Sequence, residues 1–319
     1  MSDLRWKLKW VVKAVTPPIL LLLVKVVSIK LGVRKPDQPT AVAPPPEHNA
    51  DPEGQPEWEY VPEGWARTAS DPSVKGWDVE AVAQAYRDKW PAFVRAIEGA
   101  RPLGVYHEIG EGEAITGEDA AAHNLLLTFA YVAALAAYGK RRLTFLDWGG
   151  GIGHYGELAR AVLPVEVDYH CREVPQIAAV GRESGAAGRY VSDDTWADRT
   201  YDLVMASGSL QYAEDWRAQL AELAAVCDGY LYVTRLPYAR SSPSFHILQR
   251  AYRYGYETEY VGWVVGRDEL LAHARVLGLD LVREFVIDAW LSAPGAPEDP
   301  IGHRGFLFTA GLLREAAAA

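Results

Sequence analysis

The sequence predicts an α/β fold in which a largely parallel sheet carries helices on both faces, preceded by a mostly helical region. From Arg141 onward, short runs rich in β-branched and aromatic residues alternate with helical runs. A glycine-rich turn separates the first of these strands from the first helix. Alternating strands and helices are typical of a parallel sheet, because each helix crosses over to the start of the next strand.

The sheet region, residues 141–319, contains six clear strand patterns and four helix patterns. Few helix-forming residues separate the last two strands, so we expect these two to pair as an antiparallel hairpin at one edge. The strands are LTFLDW, VEVDYHCR, YDLVMAS, GYLYVTR, LVREFVIDA and GFLFTAG, and the helices are HYGELARAVL, PQIAAVGRES, DWRAQLAELAAVC and RDELLAHARVLG.

Three regions precede the sheet. Residues 63–140 contain two long helical patterns, DVEAVAQAYRDKWPAFVRAIEGA and GEDAAAHNLLLTFAYVAALAAYGK, and are predicted to form an N-terminal helical cap that closes one side of a pocket. Residues 36–62 hold eight of the twenty prolines and are predicted to be a semi-rigid linker. Residues 1–35 are predicted to form basic amphipathic and apolar helices.

Charge is distributed unevenly along the chain. The net charge is −10, yet residues 1–35 carry +7 and the remainder therefore −17. The acidic body argues against a nucleic acid partner, because phosphate binding needs a basic surface. The N-terminus predicts helices that bind an anionic membrane surface, with docking on the protein itself as the alternative. Its apolar run is too short to span a bilayer, so we expect a cytoplasmic protein that is peripheral at the inner face of the membrane.

The two cysteines, Cys171 and Cys227, do not have the spacing of metal ligands. We therefore expect reduced thiols, with neither a zinc site nor a disulfide framework.

The stretch TFLDWGGGIGHYGELARAVLP marks the predicted ligand site, since ligands of doubly wound sheets bind at the carboxyl ends of the strands. Glycines allow positive φ and let backbone amides approach a ligand closely. Two interpretations are open. A literal G-x-G-x-x-G at Gly151, Gly153 and Gly156 is typical of dinucleotide binding. The shifted pattern Asp147, Gly149, Gly151, Gly153 favours S-adenosylmethionine.

Asp147 helps to separate the two interpretations. A carboxylate at the strand end repels a pyrophosphate but suits an ammonium group, as in the methionyl part of S-adenosylmethionine. The dinucleotide pattern would begin four residues after Asp147, instead of directly after the apolar strand. Glu173 follows Gly153 by twenty residues, where a second strand ends, and its carboxylate can bind both ribose hydroxyls of either ligand.

The segments FLDWGGGIGHY, DYHCREVP, YDLVMASGSLQYAEDW and YVTRLP, in this order, resemble a bacterial family of class I S-adenosylmethionine-dependent methyltransferases with no assigned substrate. TPPILLLL and ETEYVGWVVGRDELL resemble the same family, and the similarity omits only the proline-rich linker. The resemblance implies a Rossmann-like seven-stranded class I methyltransferase sheet that binds S-adenosylmethionine. Trp148 departs from the general superfamily pattern but matches this narrower family.

The resemblance also implies roles for residues at the strand ends. It implies that the methionyl moiety lies among Asp147, Gly149, Gly151 and Gly153 and that the ribose binds Glu173. It implies that the sulfonium and the acceptor face Ser207, Gly208 and Ser209. The adenine amine is implied to bind Asp193 or Asp194, for which a helix cap is the equally weighted alternative.

Methyl transfer to a hydroxyl requires alignment and a proton acceptor. His154 is the candidate base, because it begins the helix after the glycines and a helix N-terminus disfavours imidazolium. Tyr212 is a second catalytic candidate. The alternatives are a histidine that only packs beside the cofactor and a tyrosine of the pocket wall. His246 and His303 are expected to be surface loop residues that could reach the acceptor.

The stretch PYARSSPSFHILQRAYRYGYETEYVGW is unusually rich in aromatic residues and arginines, which are typical of a lid or of a site for an amphipathic ligand. The predicted function is O-methylation of a small-molecule or cell-envelope glycan acceptor. The alternatives are an NAD(P)-dependent oxidoreductase and a non-catalytic cofactor-binding scaffold at the membrane.

Overall fold

The computed structural model describes residues 54–98 and 120–310, all within one compact unit. The predicted N-terminal helices of residues 1–35 and most of the proline-rich linker lie outside the described residues. Membrane binding through residues 1–35 therefore stays a prediction. Within the described part of the chain, no helix is long and apolar enough to cross a bilayer.

Ten strands, seven α-helices and three 3₁₀ turns are present within residues 54–98 and 120–310. The strands are β1 Trp58–Tyr60, β2 Arg142–Trp148, β3 Glu166–Arg172, β4 Arg189–Val191, β5 Tyr201–Ser207, β6 Cys227–Ala239, β7 Phe245–Arg250, β8 Glu259–Gly266, β9 Asp280–Leu291 and β10 Ile301–Thr309. The helices are α1 Ala66–Ser70, α2 Glu80–Glu98, α3 Ala120–Ala137, α4 His154–Val162, α5 Pro175–Glu183, α6 Trp216–Ala225 and α7 Arg267–Val276, and the 3₁₀ turns are Asp194–Asp198, Leu210–Tyr212 and Tyr252–Tyr254.

Seven of the strands form a Rossmann-like sheet in the order β4-β3-β2-β5-β6-β10-β9. The pairs β2–β3, β3–β4, β2–β5 and β5–β6 are parallel. Strand β10 is antiparallel to both β6 and β9, so the predicted edge hairpin is confirmed. The strand order runs outward from β2 in both directions. The switch point between β2 and β5 is where ligands bind in such sheets.

The structure adds four strands to the six that the sequence pattern predicted: the short β4 and the three strands β1, β7 and β8. Strands β1, β7 and β8 form an antiparallel extension. The last two residues of β6, Tyr238 and Ala239, pair with β8 in parallel. The stretch interpreted as a lid is thus partly sheet, and residues 58–60, placed in the linker by composition, form the edge strand β1. The tyrosines and arginines of residues 237–263 hid the strand patterns of β7 and β8.

Helices pack on both faces of the sheet. Along β2, Phe145 and Leu146 belong to cores on opposite faces, because successive side chains of a strand alternate. Phe93 of α2 and Phe129 of α3 are buried on the Phe145 side, and Leu220 of α6 is buried on the other. Both long helices of the region 63–140 therefore lie on one face of the sheet.

Candidate active site

A cavity of about 810 Å³ opens at the carboxyl ends of β2, β5 and β6. Ligand cavities measure roughly 300–1,000 Å³, so this volume suits one or two small molecules. Its wall includes residues 148–151 of the glycine turn, Glu173, residues 207–209 after β5, and a group of aromatic side chains. Among the described residues, no cluster of three or more His, Cys, Asp or Glu is placed to hold a metal ion.

The glycine turn adopts a backbone that only glycine accepts easily. Gly149, Gly151 and Gly153 have φ of 70°, 61° and 103°. A Cβ at Gly149 would lie 2.4 Å from the Cβ of Ser209, and one at Gly153 would lie 2.1 Å from the Oη of Tyr190. Positive φ and lack of space therefore both exclude larger residues at Gly149 and Gly153.

Two of the four motif positions reach the cavity, and two lie behind its wall. Gly149 and Gly151 line the cavity. Gly153 precedes α4 and packs under Tyr190, and Asp147 is fully buried. Of the four residues that the resemblance implies around the methionyl moiety, Gly149 and Gly151 therefore border the cavity and Asp147 and Gly153 do not.

Asp147 lies beneath the glycine turn with an incomplete set of hydrogen bonds. Its Oδ2 accepts a hydrogen bond of 2.8 Å from the hydroxyl of Tyr169, while its Oδ1 is buried with no hydrogen-bond partner. Burial raises the pKa of Asp147 to about 7; the Tyr169 bond opposes the shift and the negative charge of Glu173 adds to it. This carboxyl therefore changes its charge near neutral pH.

Glu173, immediately after β3, is held at the cavity wall by two backbone groups. Its Oε2 accepts from the N–H of Gly151 at 2.9 Å, and its Oε1 accepts from the N–H of Val174 at 2.8 Å. Burial raises the pKa of Glu173, and these two hydrogen bonds offset part of that rise. Each carboxylate oxygen has two lone pairs, so one remains on each for a ligand with two neighbouring hydroxyls.

Two serines at the end of β5 form hydrogen bonds with residues on the β2 side of the switch point. The hydroxyl of Ser207 donates to the Oη of Tyr155 at 3.1 Å, and that of Ser209 donates to the carbonyl of Trp148 at 2.7 Å. Ser207, Gly208 and Ser209 all line the cavity, together with Tyr155.

His154 lines the cavity but is surrounded by aromatic rings of α2. Its ring centroid lies 4.5 Å from that of Phe93, 5.2 Å from that of Trp90 and 5.9 Å from that of Tyr86. Burial lowers the pKa of His154 to about 3, so the ring is neutral at physiological pH. This environment favours the packing alternative over a role as the general base.

Tyr212 is also a wall residue with its hydroxyl engaged. Its Oη donates to Oε1 of Gln249 at 3.1 Å, and its ring contacts Trp77 and Tyr260 edge-on at 5.3 and 5.0 Å. Burial raises the pKa of Tyr212 well above its ordinary value, so the phenol keeps its proton. The geometry therefore favours the pocket-wall alternative.

Asp193 and Asp194 lie outside the cavity wall, and the implied adenine contact stays a prediction. Asp193 is exposed and caps the 3₁₀ turn Asp194–Asp198, where its carboxylate accepts from the N–H and the hydroxyl of Thr195 at 3.2 and 2.6 Å. A short polar side chain directly before a turn binds the nearest orphan N–H. The capping alternative is the one observed.

His303 lies in β10 and lines the cavity, so the expectation of a surface loop is wrong for it. Its Nδ1 is 3.0 Å from the carbonyl of Ala289. A carbonyl only accepts, so Nδ1 carries the proton and Nε2 is left as a proton acceptor. Burial lowers the pKa of His303 to about 4, and the charge of Arg235 acts in the same direction. The expectation is also wrong for His246, which lies in β7 and packs against Trp263, with ring centroids 3.7 Å apart.

Arg235 lines the cavity as well, and the sequence analysis did not identify it as a candidate. Thr234 and Arg235 of β6 together face Gly305 of β10, because the register shifts there, and Arg235 has a φ of 52°. This is a β-bulge, a feature that re-aims a side chain next to many active sites. Arg235 was visible in the motif YVTRLP, but only the pairing with β10 creates the bulge.

Comparisons with known proteins give low-similarity matches. No protein-family model and no curated protein matches the sequence. Among solved structures, an S-adenosylmethionine-dependent methyltransferase from Clostridium acetobutylicum is 12% identical, with 58% of this chain and 90% of that chain covered and a TM-score of 0.40. The magnesium protoporphyrin IX methyltransferase of Synechocystis is 15% identical (72% and 98% covered, TM-score 0.41), and an amino pentose methyltransferase of Micromonospora echinaspora is 15% identical (60% and 92% covered, TM-score 0.40). Likenesses this distant leave the chemistry to be argued from the cavity itself.

Proposed function

We propose that the protein is an S-adenosylmethionine-dependent methyltransferase that acts on a hydroxyl of a small molecule or glycan. The observation that carries the proposal is the carboxylate of Glu173. It stands at the switch point of the sheet, fixed by the N–H groups of Gly151 and Val174, with a free lone pair on each oxygen. A ribose diol matches this arrangement, and the side-chain-free turn at Gly149 and Gly151 leaves room for the rest of the donor.

The start of α4 supports this donor over a dinucleotide. A pyrophosphate binds where the N–H groups at a helix N-terminus point into a polar space. Here His154 in the first turn is 3% exposed and is packed against Phe93 and Trp90 of α2. Asp147, directly beneath the turn, would also repel a pyrophosphate whenever it is ionised.

The residues of the cavity fit the chemistry of methyl transfer. The donor, when bound, supplies an activated methyl group. The protein then has to align the acceptor oxygen and receive its proton. Ser207 and Gly208, at the end of β5, line the same cavity as Glu173 and His303.

His303 is the better-placed proton acceptor in this proposal. The hydrogen bond from its Nδ1 to the carbonyl of Ala289 fixes the tautomer, so Nε2 takes the hydroxyl proton as the acceptor oxygen bonds to the methyl carbon. S-adenosylmethionine, held by Glu173 and the glycine turn, would supply the methyl group from its sulfonium and would leave as a neutral thioether. His154 then has the role of a wall residue.

Replacing Glu173 with alanine tests the donor assignment. We expect the affinity for S-adenosylmethionine to fall by about 10- to 150-fold, because hydrogen bonds to a charged group contribute on the order of 1.5–3 kcal/mol. Calorimetric titration measures the affinity, and thermal unfolding of the same samples checks that the variant is folded.

Glu222→Ala is the matched control, since Glu222 is an exposed carboxylate of α6 outside the cavity. Its affinity for the donor should equal that of the wild type. A folded Glu173→Ala variant with wild-type affinity would show that Glu173 does not hold the ribose.

A further inference from the structure

The cavity wall contains a side-chain oxygen that is buried without a hydrogen-bond donor, Oε1 of Gln211. This residue lies in the 3₁₀ turn Leu210–Tyr212, two positions after Ser209, and lines the cavity. Gln211 is only 5% exposed, and within the described part of the chain its Oε1 accepts no hydrogen bond. Buried polar atoms are nearly always paired in folded proteins, so an unpaired one in a cavity wall calls for an explanation. A ligand group can supply the missing donor.

A chain of hydrogen bonds fixes which end of the Gln211 amide is left over. The hydroxyl of Tyr212 donates to Oε1 of Gln249 at 3.1 Å, and Nε2 of Gln249 donates to Oε1 of Glu57 at 3.0 Å. The proton of Tyr212 is therefore used by Gln249. Its oxygen can then only accept from Gln211, whose side chain is hydrogen-bonded to it. The amide NH₂ of Gln211 is occupied in this way, and the carbonyl oxygen remains for a ligand.

The indole N–H of Trp77 is a second unpaired group in the same wall. Trp77 lines the cavity, and its Nε1 is buried with no acceptor among the residues that the structure describes. Its ring contacts that of Tyr212 edge-on, with centroids 5.3 Å apart, so it lies beside the turn that carries Gln211. An indole nitrogen only donates, whereas an amide oxygen only accepts. This part of the wall therefore presents one donor and one acceptor to a ligand.

Strand β8 holds both groups in position. The N–H of Gly76, next to the tryptophan, donates to the carbonyl of Glu259 at 3.2 Å. The hydroxyl of Thr258 donates to the carbonyl of Gly76 at 2.9 Å. On the same strand, a Cβ built on Gly262 would lie 3.2 Å from Cε1 of Tyr212, so β8 packs closely against the 3₁₀ turn. The donor and the acceptor are thus attached to one rigid element.

A neutral hydroxyl is a group that can satisfy both unpaired atoms. Its oxygen accepts a hydrogen bond from the N–H of Trp77, and its O–H donates to the Oε1 of Gln211. A carboxylate only accepts and would leave the amide oxygen unpaired. An ammonium group only donates and would leave the indole N–H unpaired. The pair therefore favours an uncharged ligand with hydroxyl groups.

Flat aromatic surfaces accompany these two atoms. Trp77 and Tyr260 are stacked with centroids 4.5 Å apart and an interplanar angle of 19°, and Tyr86 and Tyr256 are stacked at 6.3 Å and 23°. All four line the cavity. Aromatic walls with a few fixed polar groups are typical of sites that bind the apolar face of a ligand and orient its polar rim. A sugar ring has C–H groups on its faces and hydroxyls around its rim.

We propose that Trp77 and Gln211 form the acceptor subsite and bind the hydroxyl groups of a neutral sugar residue, whose ring packs on the neighbouring aromatic side chains. This inference rests on the proposed methyltransferase function. Gln211 follows Ser209 by two residues, so the subsite adjoins the end of β5, where the proposed function places the acceptor. The sugar supplies the donor and the acceptor that the wall lacks, and binding therefore removes two unpaired buried groups at once.

The test measures the binding of defined probes by ligand-observed NMR titration, with S-adenosylhomocysteine present and absent. The sugar probes are the methyl glycosides of glucose, galactose, mannose and rhamnose. The comparison probes are cyclohexanol, a ring with a single hydroxyl, and benzoate, a flat anion. We expect at least one methyl glycoside to bind more tightly than both comparison probes. Binding of cyclohexanol or benzoate that is at least as tight as that of every glycoside would overturn the proposal.

Two variants each remove one of the unpaired groups. Trp77→Phe keeps an aromatic face but has no N–H, and Gln211→Met keeps the length of the side chain but has no carbonyl. In each we expect the affinity for the tightest-binding glycoside to fall about twofold to tenfold, the usual effect of one neutral hydrogen bond, with the affinity for S-adenosylhomocysteine unchanged.

Trp196→Phe is the matched control. Its buried Nε1 also lacks a partner within the described ranges, but Trp196 lies outside this cavity, so the variant should bind the glycoside like the wild type. Undiminished glycoside binding by Trp77→Phe or Gln211→Met would contradict the role of the residue replaced. Failure of S-adenosylhomocysteine to bind the wild type would instead count against the proposed function, since the glycosides are also measured without it.

Discussion

Replacing His303 with glutamine is expected to lower turnover by about 10²–10⁴-fold, the usual contribution of a positioned general base. Glutamine keeps a polar side chain of similar reach but cannot take up a proton at neutral pH. Donor affinity should remain unchanged, because His303 lies in β10, which β6 and β5 separate from β2 and from β3, the strands that precede the glycine turn and Glu173. Single-turnover methyl transfer from labelled donor measures the rate, with a cell-envelope extract as the source of the acceptor.

The pH dependence adds a second readout for His303. The pKa of His303 is lowered to about 4, so the wild type should lose activity only as the pH falls toward that value and the imidazole becomes protonated. His303→Gln should lack this acidic limb. The matched control is His154→Gln, at a histidine of the same cavity packed among aromatic rings, and it should keep turnover near the wild-type level. A large loss in His154→Gln with normal turnover in His303→Gln would reverse the assignment of the two histidines.

Replacing Asp147 with asparagine is expected to stabilise the protein above neutral pH by about 4 kcal/mol, from a shift of about three pKa units at 1.36 kcal/mol each. The pKa of Asp147 is raised from 3.8 to about 7 in the folded protein, so between these values the folded state holds a proton that the unfolded state has released. Stability of the wild type should therefore fall as the pH rises through this window. Asparagine has no charge to bury, and its stability should not show this fall.

Urea unfolding at pH 5 and pH 8 measures the difference between the two proteins. Asp168→Asn is the control with the opposite sign. Burial opposes ionisation of Asp168, but His170, Arg142 and Arg199 outweigh it and lower its pKa. Asp168 therefore stabilises the folded state at both pH 5 and pH 8, and Asp168→Asn should be less stable than the wild type by the same amount at both. Parallel pH profiles of the wild type and Asp147→Asn would show that the Asp147 carboxyl is not buried beneath the glycine turn.

The central strands could be predicted because their apolar runs are local and uninterrupted. The ends of β2, β3 and β5 lie within one or two residues of the predicted ones. The strands β7 and β8 were missed because tyrosines and arginines occupy this segment. Those side chains line a cavity that only the folded sheet creates.

The site residues that directly follow or end a strand could be predicted, because the carboxyl ends of neighbouring parallel strands lie at the same edge of the sheet. Gly149, Gly151, Glu173 and Ser207 lie at the cavity wall for this reason. Asp147 could not be placed in this way, because the pleat of β2 turns its side chain to the Phe145 face, where Tyr169 binds it.

The residues of the acceptor side depend on contacts between distant parts of the chain. His303 comes to the cavity only because β10 inserts between β6 and β9. Arg235 points into the cavity only because the same pairing contains a bulge. Neither register nor bulge is encoded in a short motif.

Calorimetric titration of the wild-type protein with S-adenosylhomocysteine and, in parallel, with NAD⁺ tests the proposed donor most directly. Both ligands carry an adenosine, so they differ mainly in the group attached to its ribose: an amino acid in one and a pyrophosphate in the other. We expect S-adenosylhomocysteine to bind with one site per chain and NAD⁺ to give no saturable heat. Saturable binding of NAD⁺ with none of S-adenosylhomocysteine would contradict the methyltransferase assignment and favour an oxidoreductase.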